Sequence, residues 1–394
     1  MQINELAKII RECGIVGCGG AGFPSYAKLN KSADTIILNC AECEPLLKLH
    51  RQLLEKYAYE IMSALKLVAE AVEADNIIIA IKKSYTDAVE RIQSYLDAFQ
   101  NIKIAFLPEI YPAGDEVITI YETTGRVVPP GQIPISVGVT VFNVETVYNI
   151  YCAINENTPV THKYVTIAGE VEKPVTVKAP IGATIKDVVK HAGNITCDNP
   201  VFILGGPMTG KIGTGYTVVT KTTNAILVMP EEHYIVTRRK TNVSVDMKRA
   251  MATCCQCQMC TDMCPRYLLG HPIEPHLFMR NATSGIVTDK NSYLNTMFCA
   301  QCGLCEMYAC SQGLAPKTLM GICKDTLRKN GVKMPQNIAE SDVKKEREYR
   351  KVPMKRLISR LGLKKYDVSA PLNDEEVKSS EVVNSPVVIL QDVN

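Results

Sequence analysis

Cys254-Cys255-Gln256-Cys257-Gln258-Met259-Cys260-Thr261-Asp262-Met263-Cys264-Pro265 carries the pattern C-x2-C-x2-C-x3-C-P, the spacing that wraps thiolates around a [4Fe–4S] cube. A second run, Cys299-x2-Cys302-x2-Cys305-x4-Cys310, repeats it with one more residue before the last cysteine. Two clusters are therefore expected. Where two such runs share a chain, the outlying fourth cysteine ligates the other cluster. That rule assigns Cys254, Cys257, Cys260 and Cys310 to one cluster and Cys264, Cys299, Cys302 and Cys305 to the other, and the crossing clamps both runs together. Zinc is the rival for any CxxC pair, but zinc sites use two pairs separated by a long gap, whereas three cysteines at a three-residue step suit a cube.

Outward from these runs, 394 residues leave room for two or three domains. The 44 basic and 41 acidic residues nearly cancel, which gives no electrostatic case for a nucleic-acid or membrane-surface partner. Sixteen cysteines in a chain this long, half of them in cluster spacing, point to a reducing cytoplasm rather than a disulfide scaffold. The first ten residues mix acids and lysines where a signal peptide needs an apolar run, and no stretch is long and apolar enough to span a membrane.

Upstream, a short amphipathic helix over 4–13 leads into Gly14, Gly17, Gly19, Gly20 and Gly22, followed by Phe23-Pro24. Five glycines in nine positions let backbone N–H groups approach a phosphate or a flat ring. The strand Thr35–Leu38 then delivers Asn39, Glu42, Glu44 and Pro45 to its C-terminal end, where open α/β sheets place ligands. Helical spacing from Leu53, a strand at 76–81, a helix near 86–99 and a strand at 102–107 continue an α/β alternation with a mostly parallel sheet. Gly114-Asp115-Glu116 turns into a helix, and Val139–Phe142 is a last strand before the helix opened by Asn143.

Residues 159–163 read as a linker. A hairpin over 164–177, a helix capped by Thr184 and a strand at 201–204 follow, the order of a small β-grasp module. The expected divisions are 1–158, an α/β Rossmann-like domain; 163–212, the β-grasp; 213–245, a connector holding a strand-like 224–228; 246–330, an α-helical two-cluster segment; and 331–394, a basic, polar tail, partly disordered. Met247, Met251, Met259 and Met263 are expected to pack around the clusters, and Cys152, Cys197, Cys255 and Cys323 to act as structural thiols that pack like small apolar residues. Cys40-x2-Cys43 could be a redox or metal pair, although the Asn and Glu around it already suit a ligand site.

The glycine loop with Lys28, then Asn39-x2-Glu42-x-Glu44-Pro45, Gly114-Asp115-Glu116 and Asn143-Val144-Glu145-Thr146, resembles the FMN- and NADH-binding signature of the complex I flavoprotein. Residues 164–210 resemble its soluble-ligand-binding β-grasp (SLBB) module, and the cysteine segment is similar to two-cluster ferredoxins. The whole order is similar to the RnfC component of Rnf ferredoxin:NAD oxidoreductases, and more closely to the cobalamin reductases of propanediol-utilisation microcompartments. Cys264-Pro265-Arg266-Tyr267 and Cys302-Gly303-Leu304-Cys305 carry that closer likeness.

The resemblance implies FMN, two [4Fe–4S] clusters and NADH as substrate, because a flavin converts a hydride into the single electrons that clusters accept. It places Gly17, Gly19, Gly20 and Gly22 at the phosphate with Lys28 as its charge partner. Asn39, Glu42, Gly114, Asp115 and Asn143 fall around the flavin, and Phe23, Glu44 and Glu116 by the nicotinamide nucleotide. The implied acceptor is a corrinoid or a redox protein, among them a corrinoid adenosyltransferase, with microcompartment or membrane-complex association. A peripheral RnfC-type member of a membrane complex, a soluble donor to another reductase and a scaffold with a dead nucleotide site are the alternatives. Three departures stand out: Ala41 where the pattern has an acid, Asn30-Lys31 where it has an aromatic, and no biotinyl-like domain at either end. Val387–Leu390 is expected as the first strand of a shortened one.

Overall fold

The computed structural model describes residues 1–285, 288–336 and 342–377. The apolar strand segments pair in parallel: β1 (Thr35–Asn39), β2 (Asn76–Lys82), β3 (Ile102–Leu107) and, after the two-residue β4 (Ile110–Tyr111), β5 (Val139–Asn143). The sheet order is β3-β2-β1-β5, with Thr35 opposite both Asn76 and Val139. Strand alternation sends Ile36 and Leu38 to one face, under helices α1 (Ile3–Glu12), α2 (Leu49–Val72), α3 (Thr86–Gln93) and, later in the chain, α5 (Val144–Asn155). Ile37 points to the other face, under α4 (Glu116–Thr124). Both faces are thus covered, as a parallel sheet requires. Leu53, Leu54, Ile61 and Leu65 of α2 are fully buried, each stabilising the fold by roughly 1.5–3 kcal/mol. Because β1 has neighbours on both sides, reached by connections in opposite directions, a crevice opens between the C-terminal ends of β1 and β5.

The second sheet contains β6 (His162–Gly169), β7 (Val175–Pro180), β8 (Pro200–Leu204), β9 (Lys211–Gly213) and β10 (Ala225–Pro230). Here two sequence readings need correction. The stretch 213–245 is not simply a connector, since β10 lies between β6 and β8, parallel to the first and antiparallel to the second. Its five apolar residues Ala225 to Met229 are buried, which is why they join the sheet. Nor is 159–163 wholly a linker. β6 begins at His162, and the buried ammonium of Lys163 pairs with the buried carboxylate of Glu145 on α5, tying the two domains together.

The C-terminal stretch also departs from a disordered tail. β11 (Val352–Pro353) pairs with β4, the helix Met354–Arg360 buries Leu357 and Ile358, and β12 (Leu372–Glu376) extends the second sheet beside β7. Asp374 of β12 accepts hydrogen bonds from Lys56 and Tyr164, each at 2.5 Å. A few apolar residues set among many charges carry this packing, so composition alone concealed it. Val387–Leu390 lies outside the described residues. The cysteine segment is built from short helices whose core gathers Ala250, Phe278, Met279, Leu319 and Met320 around Cys264, Cys299 and Cys305. Among the described residues no helix is long and apolar enough to cross a membrane.

Candidate functional site

A cleft of about 310 Å³ occupies the crevice between β1 and β5. Its walls come from the glycine loop, Asn39 and Asn143 at the two strand ends, Gly114, Glu116 and Thr146. Asn143 caps α5, its Oδ1 accepting from Glu145 N at 2.9 Å, while Nδ2 lies 2.8 Å from His50 Nε2. A Cβ on Gly19 would stand 2.5 Å from that Nδ2, so glycine is what lets the loop lie against the helix cap. Gly114 is as confined: a Cβ would meet Ala41 O at 2.6 Å and Cys43 Sγ at 2.9 Å, and its carbonyl accepts from Asn39 Nδ2 at 2.8 Å. Lys28 Nζ donates to Val141 O at 2.7 Å and to Glu116 Oε1 at 3.0 Å. A second hollow of about 240 Å³ continues past Lys28 and Glu116 towards Ile133 and Pro134. Phe23, half exposed, lines both.

The cleft fits a flavin phosphate ester. Its glycine wall offers backbone without side chains, the positive end of a twelve-residue helix opens beside it, and Ser25 Oγ, buried and lining the cleft, has no partner. An unpartnered buried hydroxyl costs on the order of 1–3 kcal/mol until an acceptor reaches it.

Gly17, Gly19, Gly20, Gly22, Phe23, Lys28, Asn39, Gly114, Glu116 and Asn143 all line this cleft. Glu42, Glu44 and Asp115, expected with them, do not. Glu42 is buried, accepting from His50 N at 3.0 Å and pairing with Arg51 at 3.4 Å. Burial raises its pKa, against the opposing pull of Arg51. Glu44 reaches into the β-grasp domain, where its carboxylate accepts from Met208 N at 2.8 Å, Thr209 N at 2.9 Å and Thr209 Oγ1 at 2.5 Å. A Cβ on Gly206 would overlap that carboxylate, so Gly205-Gly206-Pro207-Met208 is the one sequence signal that marks its receptor. Asp115 caps α4 through Val117 N and Ile118 N and turns its other oxygen to Arg266, 2.9 Å away. In each case the hydrogen bonds shown run to donors outside the cleft lining.

The eight cluster-spaced cysteines fall into two neighbourhoods. Burial pushes the Cys260 thiol up to about 12, and the adjacent thiols of Cys310, Cys254 and Cys257 press the same way. Burial likewise pushes Cys264 to about 11, with Cys299 adding to it. Burial dominates at Cys302 and Cys305 too, with both Cys264 and Cys299 contributing. Such thiols keep their protons until a metal displaces them. Donors already point at the sulfurs: Gln256 Nε2 at 3.2 Å from Cys254, Gln301 Nε2 at 3.2 Å from Cys299 and Leu314 N at 3.3 Å from Cys310. Among the described residues no three His, Cys, Asp or Glu side chains close on a single metal ion; a cube asks for a looser gathering, one iron per thiolate. His271 Nε2 lies 3.0 Å from Val128 O, so that nitrogen is engaged with the backbone.

Cleft and cysteines share structure. Tyr111 Oη donates to Cys302 O at 2.5 Å, three residues before Gly114 of the cleft wall. Arg266, bound to Asp115, lies two residues after Cys264.

Comparison with known proteins agrees with this layout. The Nuo51 FMN-binding domain family matches residues 10–152, the SLBB domain family 164–211 and the 4Fe–4S dicluster domain family 253–315. Cobalamin reductase PduS of Salmonella typhimurium is 39% identical over 97% of this chain and 84% of its own length. The Citrobacter freundii protein of that name is 40% identical over 93% and 81%. The C component of the Na(+)-translocating ferredoxin:NAD(+) oxidoreductase complex of Acetobacterium woodii is 30% identical over 68% of this chain and 59% of its own. A crystal structure of an NAD+-reducing [NiFe]-hydrogenase in its air-oxidized state shares the fold, with a TM-score of 0.54 at 18% identity, covering 92% of this chain and 66% of that one. The chain is thus a flavin and iron–sulfur electron-transfer protein, and it belongs to the family of the cobalamin reductase PduS proteins.

Proposed function

We propose that the chain oxidises NADH at the cleft and hands single electrons through the cysteine segment to a corrinoid, so that the cobalamin reduction for which its relatives are named is also its activity. Bound FMN would supply the two-electron to one-electron conversion, and bound clusters the one-electron carriage. The carrying observation is the short connection from cleft to cysteines: Gly114 walls the cleft, Asp115 holds Arg266 beside Cys264, and Tyr111 holds the Cys302 carbonyl.

In this reading the glycine loop, Ser25 and the N-terminus of α5 receive the phosphate. Lys28, already shared between Glu116 and Val141 O, keeps the cleft wall in place and offers a positive charge to it. Asn39 and Asn143 orient polar edges. Glu116, the one acid of the expected set at the cleft, is left to accept from a nucleotide ribose. The ligand sets are Cys254, Cys257, Cys260 with Cys310, and Cys264 with Cys299, Cys302 and Cys305. All sixteen cysteines are free, in keeping with a reducing cytoplasm.

What favours this over a peripheral role in an ion-translocating complex is the extent of likeness, 97% of the chain against 68%. The test is anaerobic: NADH added to purified protein should bleach flavin absorbance, bring up cluster EPR signals and then reduce cob(III)alamin. Clusters that dithionite reduces and NADH leaves oxidised would sink the proposal.

A further inference from the structure

The helix Val243–Thr253 runs directly into Cys254, its C-cap. One side is committed to the interior: Ala250 is buried, and Met247 packs against the core that also receives Cys254, Cys260 and Cys310. The other side faces solvent. Val245 and Met251 are 50 and 64% exposed, which corrects the expectation that Met251 packs inward, while Val243, in line with Met247 and Ala250, is 44% exposed at the helix start. Lys248 and Arg249 stand exposed among them, as do Cys255 and Cys257 just beyond. The sole carboxylate between 242 and 260, Asp246, is buried. The exposed side of the helix therefore carries Lys248 and Arg249 together with Val245 and Met251, and the segment 242–260 offers no accessible acid of its own.

Single exposed apolar side chains are ordinary. Val245 and Met251 share the exposed face of a short helix with Lys248 and Arg249, and that helix leads into the cysteine set that reaches the surface, with Cys257 exposed, whereas Cys264, Cys299 and Cys305 of the other set are buried. This face is the exposed side of a single helix, which suits a protein partner rather than a small molecule enclosed in a pocket. Its charge selects the partner, because the exposed cations Lys248 and Arg249 steer a negatively charged surface into register and repel a positive one.

We propose that the exposed face of Val243–Thr253 is the docking surface for a protein electron acceptor whose redox centre is rimmed by carboxylates. The proposal deepens the function proposed above and rests on it for the reading of the cysteine segment as the electron donor.

The experiment bypasses NADH. Whole protein is reduced with dithionite, freed of excess and mixed in a stopped-flow instrument with plastocyanin, an acidic acceptor, or cytochrome c, a basic one, both of high potential. The expected result is plastocyanin reduction that slows as salt rises, and that falls roughly tenfold or more in the Lys248→Glu, Arg249→Glu double variant while cytochrome c reduction quickens. Iron content and EPR spectra of the double variant should match the parent. Plastocyanin rates unchanged by charge reversal, or both acceptors slowed alike, would overturn the proposal, as would Met251→Ala and the double variant reducing plastocyanin at the parental rate while a free corrinoid is reduced equally well. A protein that takes no electrons from dithionite would refute the two-cluster reading, and this proposal with it.

Discussion

Arg266 Nη2 lies 2.9 Å from Asp115 Oδ2, with both side chains less than one-fifth exposed, and this ion pair joins the N-terminal cap of α4 to the residue two beyond Cys264. Asp115 spends its other oxygen on Val117 N and Ile118 N. Asp115→Ala therefore loses a helix cap and strands a buried guanidinium whose Nε already lacks a partner. A destabilisation of roughly 3 kcal/mol or more is expected, seen as a lower thermal unfolding midpoint. Asp115→Asn, which retains the capping oxygen, should lose less.

The cysteine grouping makes a sharper prediction. Cys264→Ala should damage the cluster whose remaining ligands are Cys299, Cys302 and Cys305, and Cys310→Ala the one held by Cys254, Cys257 and Cys260. Cluster-resolved EPR on protein with measured iron and sulfide would decide it. Loss confined to the cluster of the mutated residue's own run would show the crossing to be wrong.

How much of this was legible depends on sequence distance. The cysteine runs, the glycine loop and the strand-end Asn39 and Asn143 are local patterns with one main chemical use, and they mark out the sheet, the cleft and the cysteine segment. Glu44 is different. Its motif identifies an acid near a strand end, but the donors that claim it, Met208 N and Thr209 N, lie over 160 residues on, and the Gly205-Gly206-Pro207 turn that precedes them marks a receptor without saying which acid it receives. Asp115 and Arg266 are as remote. β10 was legible as a strand and illegible as the strand between β6 and β8, since parallel pairing leaves no turn signal. The returning segment 352–376 was hidden by its charge, which composition reads as solvated chain while Leu357, Ile358 and Tyr366 are buried.

His271 gives the fold a pH dependence. Burial, reinforced by Arg266, lowers its pKa from 6.5 to about 4, so the folded protein holds a neutral ring where the unfolded chain would take up a proton. The stability from that mismatch is complete above pH 6.5 and is lost as pH falls towards 4. It amounts to on the order of 2–3 kcal/mol for a side chain only 4% exposed. His271→Gln retains a donor for Val128 O and cannot titrate. Thermal midpoints of the parent should fall more steeply than those of the variant across that interval; parallel curves would count against the assignment.

The cleft is tested by separating its phosphate end from its acid end. Gly19→Val sets side-chain carbon against Asn143 Nδ2, where even a Cβ would stand at 2.5 Å, so the loop must leave the cap of α5. Lys28→Ala removes the ammonium bridging Glu116 and Val141 O. Both should release flavin, while the cysteine segment, held by its own core, keeps iron that dithionite can reduce. Glu116→Gln should keep flavin and raise the apparent KM for NADH by several-fold, because a neutral amide is a weaker acceptor than a carboxylate for ribose hydroxyls. Glu44→Gln supplies the contrast. Its partners are Met208 and Thr209 rather than the cleft, so it should loosen the contact with the β-grasp domain and lower the unfolding midpoint, with KM for NADH unmoved. Flavin content, KM and unfolding midpoint measured across the four variants would sort these roles. If Glu44→Gln raised KM as Glu116→Gln does, Glu44 would have to swing from its receptor into the cleft during turnover, and the separation of the two acids into one at the cleft and one at the β-grasp domain would fail.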